Sequence, residues 1–337
     1  MSEAPLAGSG MRAQRVSPGS AGDVGGALGA RLREADLTAA PAALNLLEST
    51  APADREQTAA LLAEVSPATL GGEAPGHVIG ITGPPGAGKS TLLSALLGAW
   101  RARGRTVAML AVDPSSRRSG GSLLGDRARV DFDPADHGVL IRSTAAGERL
   151  GGIAWATRAA AHALAAAFDV VVVETVGVGQ AETEIADVAD TIAVVVQPGS
   201  GDVLQFLKSG IMEIPDVLVV TKADLGQIAV STRRDLSAAL RSLGSRETRV
   251  VGVSSIPPPS GIDELVDALE EHRAQLDLHE RRLHARRAGA IRDFSVEHGE
   301  RGLRALGGRT AAEALLQSHD PGLEVPALVS ALERAMR

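Results

Sequence analysis

The sequence contains no cysteine, only three lysines, and no long uncharged apolar segment. The lack of cysteine excludes disulfide bonds, thiolate metal sites and thiol redox chemistry. No apolar run approaches the roughly 18 residues that a membrane helix requires, and the first residues lack the hydrophobic core of a signal peptide. We therefore expect a cytoplasmic protein that does not associate with membranes.

The charge balance is acidic, with a net charge of −7 and a pI of about 5.7, which argues against a general nucleic-acid-binding function. Only three of the 34 basic residues are lysines: Lys89, Lys208 and Lys222. Since the chain uses arginine almost everywhere, each lysine indicates a site that needs a compact ammonium group.

A complete G-x-x-x-x-G-K-S phosphate-binding loop runs from Gly83 to Ser90. The apolar stretch 77–82 before it predicts a buried strand, and the stretch 91–100 after it predicts a helix. Glycines allow backbone N–H groups to converge on phosphate oxygens at the start of a helix. We expect Lys89 to reach the β- and γ-phosphates and Ser90 to ligate Mg²⁺. The predicted nucleotide-binding residues of this loop are Gly83, Pro85, Gly86, Ala87, Gly88, Lys89, Ser90 and Thr91.

Beyond this loop, short apolar runs alternate with helical stretches, which predicts an α/β fold with a doubly wound, mainly parallel sheet. The fold class is that of a P-loop NTPase with added helical segments. The predicted organisation is a disordered tail (1–23), a helical N-terminal segment (24–70), a P-loop domain (76–270) and a helical C-terminal region (271–337). The predicted strands are 77–82, 106–112, 139–142, 170–173, 191–196, 217–220 and 249–253.

Three acidic residues follow or approach the ends of these strands: Asp113, Asp126 and Glu174. Ligands of such sheets lie beyond the carboxyl ends of the strands, and carboxylates there hold the Mg²⁺ of a nucleotide. The glycines of the segment G-V-G-Q, from Gly177 to Gln180, permit a loop to move when the γ-phosphate arrives or leaves.

The segment T-K-A-D, residues 221–224, is similar to the N-K-x-D guanine-recognition motif. A carboxylate at Asp224 accepts hydrogen bonds from N1–H and N2–H₂ of guanine, which adenine cannot donate, while the Lys222 stem packs on the base. Thr221 replaces an amide that braces this loop, so we expect weaker GTP affinity with unchanged base specificity. Ser254 and Ser255 follow the last strand, where a second base-contacting loop belongs.

The chain resembles the methylmalonyl-CoA mutase-associated GTPases of the MeaB/ArgK type. The motifs that carry the resemblance are G-I-T-G-P-P-G (80–86), A-V-D-P-S-S (111–116), G-V-G-Q (177–180) and G-I-M-E-I (210–214). The resemblance implies a GTP-hydrolysing chaperone of an adenosylcobalamin-dependent acyl-CoA mutase. It also implies GTP or GDP and Mg²⁺ as cofactors, and a homodimer formed by a C-terminal helical arm.

Site roles follow from the same resemblance. Ser90, Asp126 and Glu174 correspond to Mg²⁺-associated positions, and Asp113 to the switch I aspartate of the hydrolytic centre. Gly177 and Gln180 belong to switch II, and Lys208 to a mobile switch III that communicates with the mutase. Two departures from the family pattern are Thr221 and Val203; the latter replaces a switch III carboxylate.

The C-terminal region carries an arginine cluster, which the intervening acidic residues mark as a solvated or interface face. Its members are Arg281, Arg282, Arg286 and Arg287. No D-x-H-x-x-G cobalamin signature is present, so no direct cobalamin site and no mutase activity are expected. The alternatives are a metal-insertion G protein, for which the eight histidines show no suitable ligand spacing, a transport-associated ATPase or kinase, and a non-hydrolysing binding module.

Overall fold

A seven-stranded sheet lies at the centre of the computed structural model, which describes residues 23–113, 130–145, 153–175, 184–199, 215–242, 244–245 and 247–336. The strand order is β3-β2-β4-β1-β5-β6-β7, and every neighbouring pair is parallel. The predicted doubly wound parallel sheet is confirmed. The strands are β1 His77–Thr82, β2 Val107–Asp113, β3 Val139–Ala145, β4 Val170–Thr175, β5 Thr191–Val196, β6 Val217–Val220 and β7 Arg249–Gly252.

Helices precede the sheet, cover it and follow it. Among the described residues, the α-helices are α1 Val24–Arg33, α2 Ala40–Leu47, α3 Arg55–Glu64, α4 Pro67–Leu70, α5 Lys89–Ala102, α6 Trp155–Ala165, α7 Gln227–Ser242, α8 Ile262–Gln275, α9 Leu278–Ala305, α10 Arg309–Gln317 and α11 Val325–Met336. None of the helices in these ranges is both long and apolar enough to cross a membrane.

The strands are continuous apolar runs because both faces of the sheet are buried. In β4, Val171 and Val173 pack into one core with α6 and the N-terminal helices, whereas Val170 and Val172 pack into the other with α5 and α8. The N-terminal helices share the first core with the sheet. The C-terminal helices α9 to α11 enclose a third cluster around Phe294.

An aspartate stands immediately before each of three strands and fixes the register at the amino ends of the sheet. Asp169 Oδ2 accepts from the backbone N–H of Thr106 at 2.8 Å. Asp190 Oδ2 accepts from Val78 N–H at 2.9 Å, and Asp216 Oδ2 accepts from Ile192 N–H at 2.8 Å. Each carboxylate thus accepts a hydrogen bond from a backbone N–H at or just before the start of a neighbouring strand. That N–H would otherwise have no acceptor.

The sequence predicts a solvated or an interface face for the arginine cluster of the C-terminal region, and the structure shows an interface within the chain for two of its members. Arg282 is 7% exposed and Arg286 is 5% exposed. Arg282 forms two hydrogen bonds to Asp190, at 2.8 and 2.6 Å, and donates to the carbonyls of Ala74 and Gly76, both at 2.7 Å. The charged groups of α9 therefore dock this helix onto the amino ends of the strands.

A second buried pair joins the same helix to the segment that precedes β1. Arg286 donates to both oxygens of Glu73, at 2.8 and 2.9 Å. Burial by itself raises the pKa of Glu73, but the hydrogen bonds and charge of Arg286 outweigh it and leave that pKa below its ordinary value. Glu73 is therefore ionised at neutral pH and forms a buried ion pair with Arg286.

Candidate nucleotide site

The phosphate-binding loop connects β1 to α5 and turns at glycines that no other residue could replace without strain. Gly83 has φ 146°, and a Cβ there would lie 2.1 Å from the carbonyl oxygen of Val195 in β5. Gly88 has φ 86° and caps the N-terminus of α5. The loop is thus pressed against the neighbouring strand and ends at the positive end of a helix, which favours bound phosphate.

Lys89 lies in the first turn of α5 and is buried, with 7% of its surface exposed. Its Nζ donates to the carbonyl oxygens of Gly83 at 2.6 Å and Pro84 at 3.2 Å. The ammonium therefore stays inside the loop, in a space that suits a compact cation better than a planar guanidinium. Around it, Ala87 is buried, Gly88 and Ser90 are half-buried, and Pro85, Gly86 and Thr91 are exposed.

Two of the predicted acidic residues belong to strands and do not follow them, which corrects the sequence-derived strand ends. Glu174 lies inside β4, in register with Ile81 of β1 and Ala111 of β2. Asp113 is the last residue of β2. Pairing with β1 and β2 extends β4 through Thr175, since ladder hydrogen bonds do not depend on the polarity of the side chain.

The carboxyl ends of β1 and β4 meet through a buried contact, in which Thr175 Oγ1 donates to Thr82 Oγ1 at 2.8 Å. Thr82 directly precedes the loop, and the half-buried Glu174 of β4 pairs with Ile81 of β1. Glu174 therefore lies beside the strand that leads into the phosphate-binding loop. The hydroxyl of Ser90 and the carboxylate of Glu174 are hard oxygen donors of the kind that Mg²⁺ binds. These residues fit a magnesium nucleotide.

The two base-contacting loops predicted after β6 and β7 lie together. Ser254 is buried, and its hydroxyl donates to Asp224 Oδ1 at 2.9 Å. The backbone N–H of Ala223 donates to the carbonyl of Val253 at 3.0 Å. Ser255, the next residue, is half-buried. The Ser254 hydroxyl thus orients one oxygen of the exposed Asp224 carboxylate, and the other oxygen makes no hydrogen bond to the described residues.

Thr221 braces the phosphate-binding loop, a contact that the sequence argument did not foresee. It is 4% exposed, and its hydroxyl lies 2.6 Å from the carbonyl oxygen of Ala87 and 3.1 Å from that of Val196. The sequence alone shows only that the usual amide is missing at this position. The structure places a hydroxyl donor between β5, β6 and the loop.

Gln197 is a site residue that the sequence reasoning missed. Lys222, held at φ 53°, donates from Nζ to Gln197 Oε1 at 2.5 Å and to the carbonyl of Gly86 at 3.4 Å. The signal was available, because Gln197 is the polar residue that directly follows β5 at its carboxyl end. Gln197 thus connects Lys222, whose stem is predicted to pack on the base, to the end of β5 beside the phosphate-binding loop.

Four of the predicted site residues lie outside the described residues: Asp126, Gly177, Gln180 and Lys208. Val203, one of the two departures from the family pattern, lies outside them as well. For Asp113, the structure describes the backbone but not the side chain.

Within the described ranges, one group of three potential metal ligands was also missed, since its members are far apart in sequence. Glu297 and His298 of α9 and Glu333 of α11 bring their ligand atoms within 4.8 Å of one another. His298 Nε2 already lies 3.2 Å from Glu333 Oε1, and Glu297 is exposed. These residues belong to the C-terminal helices and not to the nucleotide edge of the sheet.

The chain is similar to several known proteins along most of its length. A probable GTPase of Mycobacterium tuberculosis is 42% identical over 257 residues, which cover 74% of this chain and 75% of the relative. The methylmalonic aciduria type A homolog of Mus musculus, a mitochondrial protein, is 37% identical over 209 residues, 59% of this chain and 49% of the relative.

A solved structure described as a LAO/AO transport system kinase matches with a TM-score of 0.63 and 25% identity, covering 92% of this chain and 96% of the other. The family model "Methylmalonyl Co-A mutase-associated GTPase MeaB" matches residues 40–298, which include the phosphate-binding loop and both base-contacting loops. The resemblance read from the sequence motifs is confirmed. The chain belongs to the MeaB family of P-loop GTPases, enzymes that bind guanine nucleotide and hydrolyse GTP.

Proposed function

We propose that this protein is a GTP-dependent chaperone of an adenosylcobalamin-dependent acyl-CoA mutase, either methylmalonyl-CoA mutase or a relative. In this role it gates the loading of the cofactor and protects or reactivates the mutase. The observation that carries the proposal is the family match over residues 40–298, because the family is described by its association with that mutase. The name of the mouse relative, a methylmalonic aciduria type A homolog, points the same way.

Guanine selection in this proposal belongs to Asp224 and Lys222. The Asp224 carboxylate, oriented by Ser254, accepts from the N–H groups that only guanine presents, and Ser255 completes the second base loop. Lys222 packs on the base while Gln197 holds its ammonium group. Competition between GTP and ATP tests this assignment, and equal binding of the two would refute it.

Hydrolysis in this proposal begins with water attacking the γ-phosphate. Lys89 and the loop amides from Gly83 to Thr91 bind the phosphates and stabilise the charge that develops on them. Bound Mg²⁺ would neutralise further negative charge on the phosphates. The residues assigned to hold it are Ser90, Asp113, Asp126 and Glu174.

In this proposal Asp113 is the switch I aspartate of the hydrolytic centre. Gly177 and Gln180 belong to the switch II loop, which moves when the γ-phosphate arrives or leaves. Lys208 belongs to the segment assigned to signal the nucleotide state to the mutase. The C-terminal helices beyond residue 271 are assigned to homodimer formation, and Val296 of α9 presents an apolar side chain that is 58% exposed.

The experiment measures GTP hydrolysis by the purified full chain alone and with each candidate cobalamin-dependent acyl-CoA mutase. We expect strong acceleration by one mutase, which would identify the client. Normal basal hydrolysis with no acceleration by any of them would contradict the chaperone role while leaving the GTPase intact. A mutase without bound substrate and an unrelated acyl-CoA enzyme serve as controls.

A transport-associated kinase is the second candidate function, because the matched solved structure carries that description. The two functions differ in nucleotide and in product. A kinase would transfer the γ-phosphate of ATP to a protein acceptor, whereas the chaperone releases phosphate from GTP. Release of free phosphate from GTP in the presence of excess ATP would exclude the kinase.

A further inference from the structure

A small cavity lies where helices α3, α6, α9 and α11 meet the sheet, and we call it the interhelical cavity. It reaches β1 at Val78, near the amino end of that strand, whereas the phosphate-binding loop follows the carboxyl end. Its volume is about 70 Å³. Since a cavity needs roughly 10–15 Å³ to hold one water, this one has room for several waters or for one small molecule.

Two charged side chains in the wall of the cavity each present one unpaired atom. Arg286 is 5% exposed and donates to Glu73 and to the carbonyl of Pro321, but its Nε has no hydrogen-bond partner in the described part of the chain. Asp293 accepts from Arg158 through Oδ1, while its Oδ2 has no partner among the same residues. Buried polar atoms are almost always paired, so this donor and this acceptor indicate a cavity suited to a polar ligand.

A further pair of side chains at the cavity is close but not aligned. His162 Nε2 of α6 lies 2.9 Å from Oε1 of Glu324, the residue before α11, yet neither atom makes a hydrogen bond to the described residues. Glu324 is 7% exposed. His162 donates from Nε2 in the tautomer that carries a proton there. The pair thus adds a second donor and a second acceptor to the wall of the cavity.

The charges around the cavity balance. A ligand with a net charge would meet as many like charges as opposite ones, so the cavity favours a ligand without net charge. Burial raises the pKa of Asp293, and a cationic group at its unpaired oxygen would favour the ionised carboxylate. The three arginines and three carboxylates of the wall are Arg158, Arg282, Arg286, Asp187, Asp293 and Glu324.

The remainder of the wall is largely apolar, which favours a ligand over a group of waters. Leu62 of α3, Trp155 of α6 and Val325 of α11 belong to it. A buried water makes two to four hydrogen bonds, and waters placed against these side chains would lack some of them. An apolar group of a ligand would instead be stabilised by burial at the same place.

We propose that the interhelical cavity binds a small zwitterion, namely an α-amino acid with a short apolar side chain. The carboxylate of the ligand accepts from Arg286 Nε and His162 Nε2. Its ammonium group donates to Asp293 Oδ2 and Glu324 Oε1. Its side chain packs on the apolar part of the wall. The ligand therefore joins α6, α9 and the start of α11 at a site separate from that of the nucleotide.

The test uses the full chain with saturating GDP and Mg²⁺, so that the nucleotide site is occupied. L-valine is the probe, and ligand-observed NMR titration gives its Kd, which we expect to be about 1 mM or lower. Two analogues are matched controls, since 3-methylbutanoate lacks the ammonium group and 2-methylpropylamine lacks the carboxylate. Each should bind at least about tenfold more weakly, because buried charged groups of the cavity then stay unpaired.

Two variants locate the binding. Asp293→Asn removes one anionic acceptor and should weaken valine binding by about tenfold. Gly289→Ala adds a methyl group that narrows the cavity and should weaken binding by about threefold or more. Its Cβ would lie 3.7 Å from Val325 Cγ2, an ordinary contact, and alanine favours the helix. The control is Glu313→Gln, which breaks the exposed ion pair with Arg309 on α10 and should leave the Kd unchanged.

The proposal is overturned if valine does not bind at concentrations up to about 10 mM, or if valine and the two analogues bind alike. Unchanged valine affinity in folded Asp293→Asn and Gly289→Ala proteins would overturn it as well, because binding would then lie elsewhere. If Asp293→Asn does not fold, Gly289→Ala decides alone. A crystal structure grown with valine that shows only ordered water in the cavity would have the same meaning.

Discussion

The two ends of the β-sheet use charge in opposite ways. At the carboxyl ends, Lys89 and Lys222 contact neutral oxygens, namely loop carbonyls and the Gln197 amide. At the amino ends, buried arginines are paired with carboxylates, as in Arg282 with Asp190 and Arg286 with Glu73. The first arrangement places ammonium groups beside the phosphate-binding loop, and the second neutralises charge inside the fold.

The difference shows how one sheet separates nucleotide binding, at its carboxyl ends, from the docking of α9, at its amino ends. A lysine that donates to loop carbonyls can form stronger, charge-assisted hydrogen bonds with an anionic ligand bound in that loop. A cation that is buried with a carboxylate and further carbonyls is satisfied, and removing one partner leaves the other uncompensated. Substitutions at the carboxyl ends should therefore reduce function, and substitutions at the amino ends should reduce stability.

The largest effect is expected for Lys89→Ala, which should slow GTP hydrolysis by about 10²-fold or more because the phosphates lose a buried charge partner. Stopped-flow nucleotide binding and phosphate release measure the change, and the thermal midpoint should move little. Lys89→Arg is the matched variant and should be nearly as inactive, since a planar guanidinium does not fit among the loop carbonyls. Normal hydrolysis by Lys89→Ala would refute the site.

At the opposite end, Arg282→Gln should lower the free energy of unfolding by about 3 kcal/mol or more, because Asp190 would remain buried without its partner. Burial raises the pKa of Asp190, but Arg282 and the Val78 amide outweigh burial and hold that pKa below its ordinary value. Urea denaturation measures the loss, and the Kd for GDP of the folded fraction should not change.

The neighbouring Arg281 provides the control for that prediction. Its side chain is 29% exposed, and it reaches Asp216 only at 3.5 Å. Arg281→Gln should therefore cost less than about 1 kcal/mol of stability. Equal losses for the two variants would show that burial and pairing at the amino ends do not decide stability.

The sequence predicts the two ends unequally well. The glycine loop, Lys89 and the T-K-A-D segment carry their chemistry in consecutive residues, so local pattern is sufficient. The strand-start aspartates are also visible as D-V-V-V-V at Asp169 and D-V-L-V-V at Asp216. Their role as acceptors for backbone N–H groups of neighbouring strands depends on the sheet order, which local sequence does not contain.

The pairing of Arg282 with Asp190 spans 92 positions, and the pairing of Arg286 with Glu73 spans 213. In sequence, arginines mixed with acidic residues are typical of a solvated or an interface face, and the pattern alone does not choose between them. Tertiary packing decides, because α9 docks on the sheet by bringing Arg282 and Arg286 inside.

A smaller effect is expected from acid titration at the amino ends. Burial lowers the pKa of His77 from 6.5 to about 3, although the charge of Asp190 opposes that shift. Since the unfolded chain binds a proton near pH 6.5 and the folded chain does not, stability falls as the pH drops from 6.5 towards 3. This residue contributes at most about 1.4 kcal/mol per pH unit to that slope.

His77→Gln removes the titrating group and should flatten the dependence of unfolding free energy on pH between 6.5 and 5. Urea denaturation at several pH values in this range measures the slope. His77 Nε2 lies 2.7 Å from Thr191 Oγ1, and a glutamine amide retains that contact at neutral pH. Identical slopes in the two proteins would show that His77 is not the proton acceptor.

The smallest effect is expected for Thr221→Val, at the carboxyl ends. The change removes the hydroxyl that lies 2.6 Å from Ala87 O, and a neutral hydrogen bond of this kind contributes about 1 kcal/mol, or roughly fivefold in GDP affinity. Thr221→Ser keeps the donor and should retain the affinity. Thr221→Asn tests the sequence argument, which expects the amide to bind GTP more tightly than threonine. If Thr221→Val binds GDP with unchanged affinity, the Thr221 hydroxyl does not stabilise the phosphate-binding loop. Neutral hydrogen bonds at the carboxyl ends of the sheet would then not contribute to nucleotide affinity.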